Sequence, residues 1–246
     1  MPDFVQLWIY LSSTPLFGLT ATLVVYLLAN AVYEHLGQHP LANPVLWSVV
    51  LLATGLVMLS VPYPTYFAGA QFIHFLLGPA VVALAWPLWV RRKELKRHAI
   101  RLVLAAVAGG AVASLSAVVL AEAMGLPKEI MLSLVPKSVT APVAMGIAEK
   151  IGGQPALSAV FAVLTGLVGA LSGKYLFDLF RVPRDHAGWP ARGFALGTVS
   201  HGIGSARAIQ VNADAGAYAG LALGLQVILS ALLIPLVFRW LSGSFG

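Results

Sequence analysis

The chain has 246 residues, of which 59% are hydrophobic and 10% charged, and its mean hydropathy is +0.87. Soluble domains carry about a quarter charged residues, so a soluble fold is excluded, and apolar blocks of bilayer-spanning length define one polytopic all-α membrane domain. The absence of cysteine excludes disulfides, thiolate metal sites and cysteine nucleophiles, and the net charge of +6 comes from cations at segment ends, which suit lipid headgroups and not nucleic acid.

Residues 4–11 are apolar but short, and Ser12-Ser13-Thr14-Pro15 interrupts them, which predicts an interfacial helix. No Lys or Arg precedes Arg91, so this start lacks the basic region of a signal peptide and is expected to be retained. Transmembrane segments follow at about 16–36, 45–61 and 70–90, the third kinked at Gly78-Pro79 and Pro87. Together, residues of about 1–90 form an expected N-terminal scaffold. Arg91, Arg92, Lys93, Lys96, Arg97 and Arg101 then anchor a loop in the cytoplasm, and a fourth segment spans about 100–124.

The expected core, about 100–246, contains two broken stretches. The first, 127–154, holds Pro136 and Pro142 with Lys137 between them and ends at Gly152-Gly153. A clean apolar helix follows at about 155–180, then a second basic loop with Arg181, Arg184 and Arg192. The second broken stretch, 193–212, carries Gly197, Gly202 and Gly204 as helix-breaking positions beside His201 and Arg207, and a last segment runs about 214–241. If both basic loops are cytoplasmic, 127–154 dips in and returns; a broken helix that spans is the alternative. A shift of sixty places Ser138-Val139-Thr140 on Thr198-Val199-Ser200 and aligns Ala148, Ala159 and Ala162 with Ala208, Ala219 and Ala222. Two such copies entering from opposite sides would be inverted repeats, and the expected class is an elevator-like secondary transporter.

Irregular backbone at membrane depth is tolerated only where protein or water satisfies it. The candidate anion site is therefore Lys137, Ser138 and Thr140 from the first stretch with Thr198, Ser200, His201, Ser205 and Arg207 from the second. A Lys or Arg at mid-membrane costs roughly 2.5–3.5 kcal/mol on insertion scales and is usually paired. Lys137 and Arg207 sharing a substrate carboxylate is one reading. Lys137 snorkelling to an interface, and Arg207 bound to backbone carbonyls or to Glu122, is the other. His201 is either a proton relay or a packed, hydrogen-bonded side chain. Lys174 and Asp178, one turn apart, are expected to pair. Ser200-His201 adjacency makes no catalytic dyad, and no phosphate loop or metal-ligand spacing is present, so no catalytic residue, cofactor or metal is expected.

The runs Leu134-Val135-Pro136-Lys137-Ser138-Val139-Thr140-Ala141-Pro142-Val143-Ala144 and Gly197-Thr198-Val199-Ser200-His201-Gly202-Ile203-Gly204-Ser205-Ala206-Arg207-Ala208 resemble the signature of the LrgB/CidB family. Gly78-Pro79-Ala80-Val81-Val82-Ala83-Leu84-Ala85 and Pro87-Leu88 extend the resemblance, which runs from about residue 40 to the end. That family includes the plastid glycolate/glycerate translocator. The resemblance implies either transport of small monocarboxylates such as glycolate, glycerate or pyruvate, or an antiholin-like or holin-like role in murein hydrolase control beside a small LrgA/CidA-type membrane partner. The bacterial-sized length, without a plastid transit peptide, leads to the expectation of a bacterial inner membrane, and a homodimer is expected.

Overall fold

A computed structural model describes residues 15–76, 79, 89 and 92–243, and every regular element among them is helical. The expected interfacial helix at 4–11 and most of the expected third segment lie outside the described residues. Two compact units divide the chain, one ending at Ala83 and the other beginning at Leu84.

The first unit holds α1 (Pro15–His35), a 3-10 turn (Pro40–Ala42), α2 (Pro44–Met58) and α3 (Tyr63–Phe75). Asn43 starts α2: its side-chain oxygen accepts from the N–H groups of Val45 and Leu46 at 2.9 and 3.1 Å, and Pro44 occupies the first turn, where a missing N–H costs nothing. Thr22 Oγ meets the Tyr66 hydroxyl at 2.7 Å, and Gly18 lies against the Tyr66 backbone, joining α1 to α3. The helix α3 begins at Tyr63, earlier than hydropathy places it, because Pro64 fits a first helical turn.

The second unit holds α4 (Arg92–Ala123), α5 (Lys128–Leu134), α6 (Ala141–Ile151), α7 (Pro155–Leu179), α8 (Gly188–Val211) and α9 (Ala213–Gly243). Among the described residues, four helices are long and apolar enough to cross a membrane: Leu16–His35, Lys96–Ala123, Pro155–Leu179 and Ala213–Trp240. The basic run from 92 to 101 is the first part of α4 and not a loop.

Both stretches that the sequence marks as broken are broken. In the first, α5 and α6 are 7 and 11 residues long, too short to cross, with Pro136 in the turn between them and Pro142 in the first turn of α6. The chain then comes back on itself: Gln154 N–H donates to Ser133 Oγ at 2.7 Å, and Gly153 lies against the backbone of Leu132 and Ser133. In the second, helical geometry fails at His201, with φ 40° and ψ −131°. Gly204 then lies against the Leu196 carbonyl, eight residues back. A continuous helix would hold those residues about 12 Å apart, so α8 is a hairpin of two arms, 188–200 and 202–211, with its tip at His201.

The break therefore falls on a histidine and not on the expected glycines. Gly197 is a contact point instead, because a Cβ there would overlap the Ala219 carbonyl; Gly193 meets Ala215 in the same way. Small residues that let backbones approach are the usual basis of helix association in lipid. Gly202 and Gly204 lie in the helical second arm.

Contacts also fix helix directions. Gly193 on Ala215 and Gly197 on Ala219 make the first arm of α8 parallel to α9. Ala106 with Phe194, Tyr218 and Ala222, then Gly109 on Thr198 and Gly110 on Gln226, add α4 in the same direction. Gly173 on Leu196, Gly169 on Ser200 and Gly166 on His201 make α7 antiparallel to all three. The start of α4 and the segment after α7 consequently share one end of this unit, and both basic runs lie there.

Candidate functional site

The two breaks meet at the middle of α7. His201 Nε2 lies 2.7 Å from the Ala162 carbonyl oxygen, and its ring fills the notch left by Gly166. From the first stretch, Val139 joins Ala144, Ile147 and Ala162 in one apolar cluster. Ala162 and Gly166 are the eighth and twelfth residues of the 25-residue helix α7, so both breaks lie against the middle of that helix.

Lys137 and Ser200 line one open cavity of about 470 Å³, walled by Phe161, Leu164, Thr165, Val168 and Gly169 of α7 and by Leu196 of α8. The hydroxyls of Ser138 and Ser200 are buried and have no hydrogen-bond partner among the described residues. Gly169 makes room for the Ser200 hydroxyl, since a Cβ would overlap it. Two helix N-termini begin at the breaks, α6 at Ala141 and the second arm of α8 at Gly202. Such ends carry unpaired N–H groups and partial positive charge.

The remaining expected residues are placed differently. Thr198 Oγ donates to the Phe194 carbonyl at 2.8 Å, and Ser205 Oγ donates to the His201 carbonyl at 2.8 Å, so both hydroxyl protons serve the helix backbone. Thr140 is the residue before α6 and makes no side-chain cap. Arg207 lies on the second arm, about 9 Å along it from the tip, and is not part of the cavity wall that holds Lys137.

Some residues escaped the sequence reading. Gln226 of α9 is buried against Gly110, and its amide oxygen has no partner among the described residues. An isolated amide in an otherwise apolar span is a signal that could have found it. Ser114 donates to the Val135 carbonyl at 2.7 Å and so supports the first break from α4. Arg192 is buried, not a surface anchor. It bonds Asp178 at 2.9 Å and the carbonyls of Val182 and Pro183, with Phe177 and Trp189 beneath it. Asp178 pairs with Arg192 and Arg184, not with Lys174.

This arrangement defines a multi-pass membrane protein with paired broken segments, and residues 22–240 match the family model described as LrgB-like family. The chain belongs to that family. It is 33% identical to YwbG of Bacillus subtilis, described as uncharacterised, over 91% of this chain and 97% of that one. A Haemophilus influenzae protein, also described as uncharacterised, is 34% identical over 80% and 84%. The holin-like protein CidB of Staphylococcus aureus is 28% identical over 96% of this chain and 98% of its own length. No solved structure matches.

Proposed function

We propose that this protein is a bacterial inner-membrane carrier of small monocarboxylates, with no catalytic step. The observation that carries this reading is the cavity shared by Lys137 and Ser200 beside the two broken segments. A cation, an unpartnered hydroxyl and nearby helix N-termini are what a carboxylate needs. The antiparallel directions of α7 and α9, each preceded by a folded-back segment, favour an inverted repeat in which each hairpin enters and leaves on one side. In this reading Lys137 is the counter-charge, and Ser138, Thr140 and Ser200 contact substrate oxygens. Arg207 would join from the second arm.

The comparisons favour a second reading. CidB is named holin-like, and none of the relatives named above is described as a carboxylate carrier. Under that reading the chain regulates lysis, beside a small LrgA/CidA-type membrane partner, and the mid-depth polar groups hold an assembly together.

The test is uptake of labelled glycolate, glycerate and pyruvate into proteoliposomes holding the purified chain alone. A carrier shows saturable uptake that Lys137→Gln weakens by about tenfold, the equivalent of one charge-assisted bond of ~1.5 kcal/mol. No uptake of any small carboxylate, together with a lysis phenotype that depends on the partner, would establish the second reading instead.

A further inference from the structure

A second cavity, of about 830 Å³, opens at the basic end of the core. His98 and Arg101 of α4 line it together with Ala187, Pro190 and Ala191 at the start of α8. Its walls are Leu102, Ala105, Phe194 and Tyr218, and it reaches Gly109 and Thr198. Eight residues separate Arg101 from Gly109, and eight separate Pro190 from Thr198, so the cavity runs about 12 Å along α4 and α8. Among the described residues no carboxylate lines it. Ala195 and Val199 line both this cavity and the one that holds Lys137 and Ser200, so one face of α8 borders the two.

A cleft with a cation at one end, no carboxylate and apolar walls focuses the field and concentrates counter-ions. A topology anchor needs charge at the membrane surface; it does not need a cavity that continues about 12 Å along the helices beyond that charge. We infer that this cavity is a water-filled vestibule that admits small anions from the basic side, with Arg101 as the collecting charge and His98 a polar group beside it. The inference rests on the carrier reading for the choice of ligand, and Arg101 acts on the rate of entry, not on binding at Lys137.

The chain has no cysteine, so single thiols placed at Ala105 and Ala195 can be probed in vesicles that expose the basic end. The probes are an anionic sulfonatoethyl and a cationic trimethylammonium-ethyl methanethiosulfonate, each normalised to its rate with a free thiol. Both positions are expected to react several-fold faster with the anionic reagent. Adding Arg101→Gln should reduce that preference several-fold and leave the rate of a neutral methyl reagent unchanged. Equal normalised rates, an unchanged preference in Arg101→Gln, or protection from every water-soluble reagent would overturn the inference, the last by showing a lipid-filled cleft. A clear preference without carboxylate uptake would keep the vestibule and remove the carrier reading. Uptake without the preference would do the reverse.

Discussion

The imidazole of His201 bonds the Ala162 carbonyl at 2.7 Å, across 39 residues of chain, and this contact sets the tip of one broken segment at the middle of the helix that follows the other. His201 is also the residue where α8 leaves helical geometry, at a positive φ. Backbone conformations of this kind cost of order 1–3 kcal/mol and persist only where the surroundings hold them.

His201 substitutions should therefore separate backbone from side chain. Glycine relieves the positive φ and loses the imidazole bond; alanine keeps the strain and loses the bond too. The expected order of stability is wild type, then His201→Gly, then His201→Ala, with roughly 1 kcal/mol between the last two. Thermal unfolding in detergent measures it, and an alanine variant more stable than the glycine one would refute the hairpin tip.

Gly197 tests whether that position is a contact or a break. A Cβ there would overlap the Ala219 carbonyl, and backbone cannot swing aside. Gly197→Ala should cost about 1–3 kcal/mol, as overpacking does, or separate α8 from α9. Gly146→Ala, where nothing lies within 4 Å, should be neutral or stabilising by up to about 1 kcal/mol. Equal effects in a side-by-side unfolding experiment would return Gly197 to a hinge role.

Single cysteines should report the shared basic end. Thiols at Arg97 and His186 are expected to label from one face of the membrane, and a thiol at Gln154 from the other. All three positions are exposed. Labelling of Arg97→Cys and His186→Cys from opposite faces would mean that 127–151 crosses.

Arg192 should behave as a structural cation. Its guanidinium joins Asp178 to the carbonyls that close α7. Removing the buried guanidinium leaves the Val182 and Pro183 carbonyls without their donor, which destabilises this turn, while the exposure of Asp178 keeps the loss of the ion pair itself small. Arg192→Gln should lower the melting temperature with no change in substrate affinity of the folded fraction. A lower affinity at unchanged stability would give Arg192 a functional role.

Asp185 supplies an acid-sensitive cap. Its carboxylate accepts from Gly188 and Ala187 N–H at 2.8 and 3.0 Å, and those bonds, Gly188 foremost, hold its pKa below the ordinary value. A depressed folded pKa means a contribution that is complete above the unfolded value, near 3.9, and is lost as pH falls through the lower folded one. Asp185→Asn keeps an acceptor oxygen and should flatten the stability profile below about pH 4. An unchanged acid limb would assign it to other carboxylates.

Hydropathy alone set the membrane class and the ends of α1, α7 and α9 to within one or two residues, because a span of apolar residues is a one-dimensional property. The prolines likewise marked the first break, whereas Gly197, Gly202 and Gly204 of the second stretch are helical and the chain breaks at His201. Which of those residues breaks the chain, and which lets a neighbour close in, is not local. Gly197 and Pro142 look alike as helix breakers, yet one meets Ala219 and the other starts α6. Whether Lys137 faces Ser200 or Arg207 depends on how far each arm folds back, and that is set by contacts such as Ser133 with Gln154 and Leu196 with Gly204. Asp178 had a charge of the right sign one turn away in Lys174, but chain reversal after α7 brought Arg192 closer. Residue type and spacing determined what chemistry could be buried; only the packing of α7 between the two broken segments decided which of those groups meet.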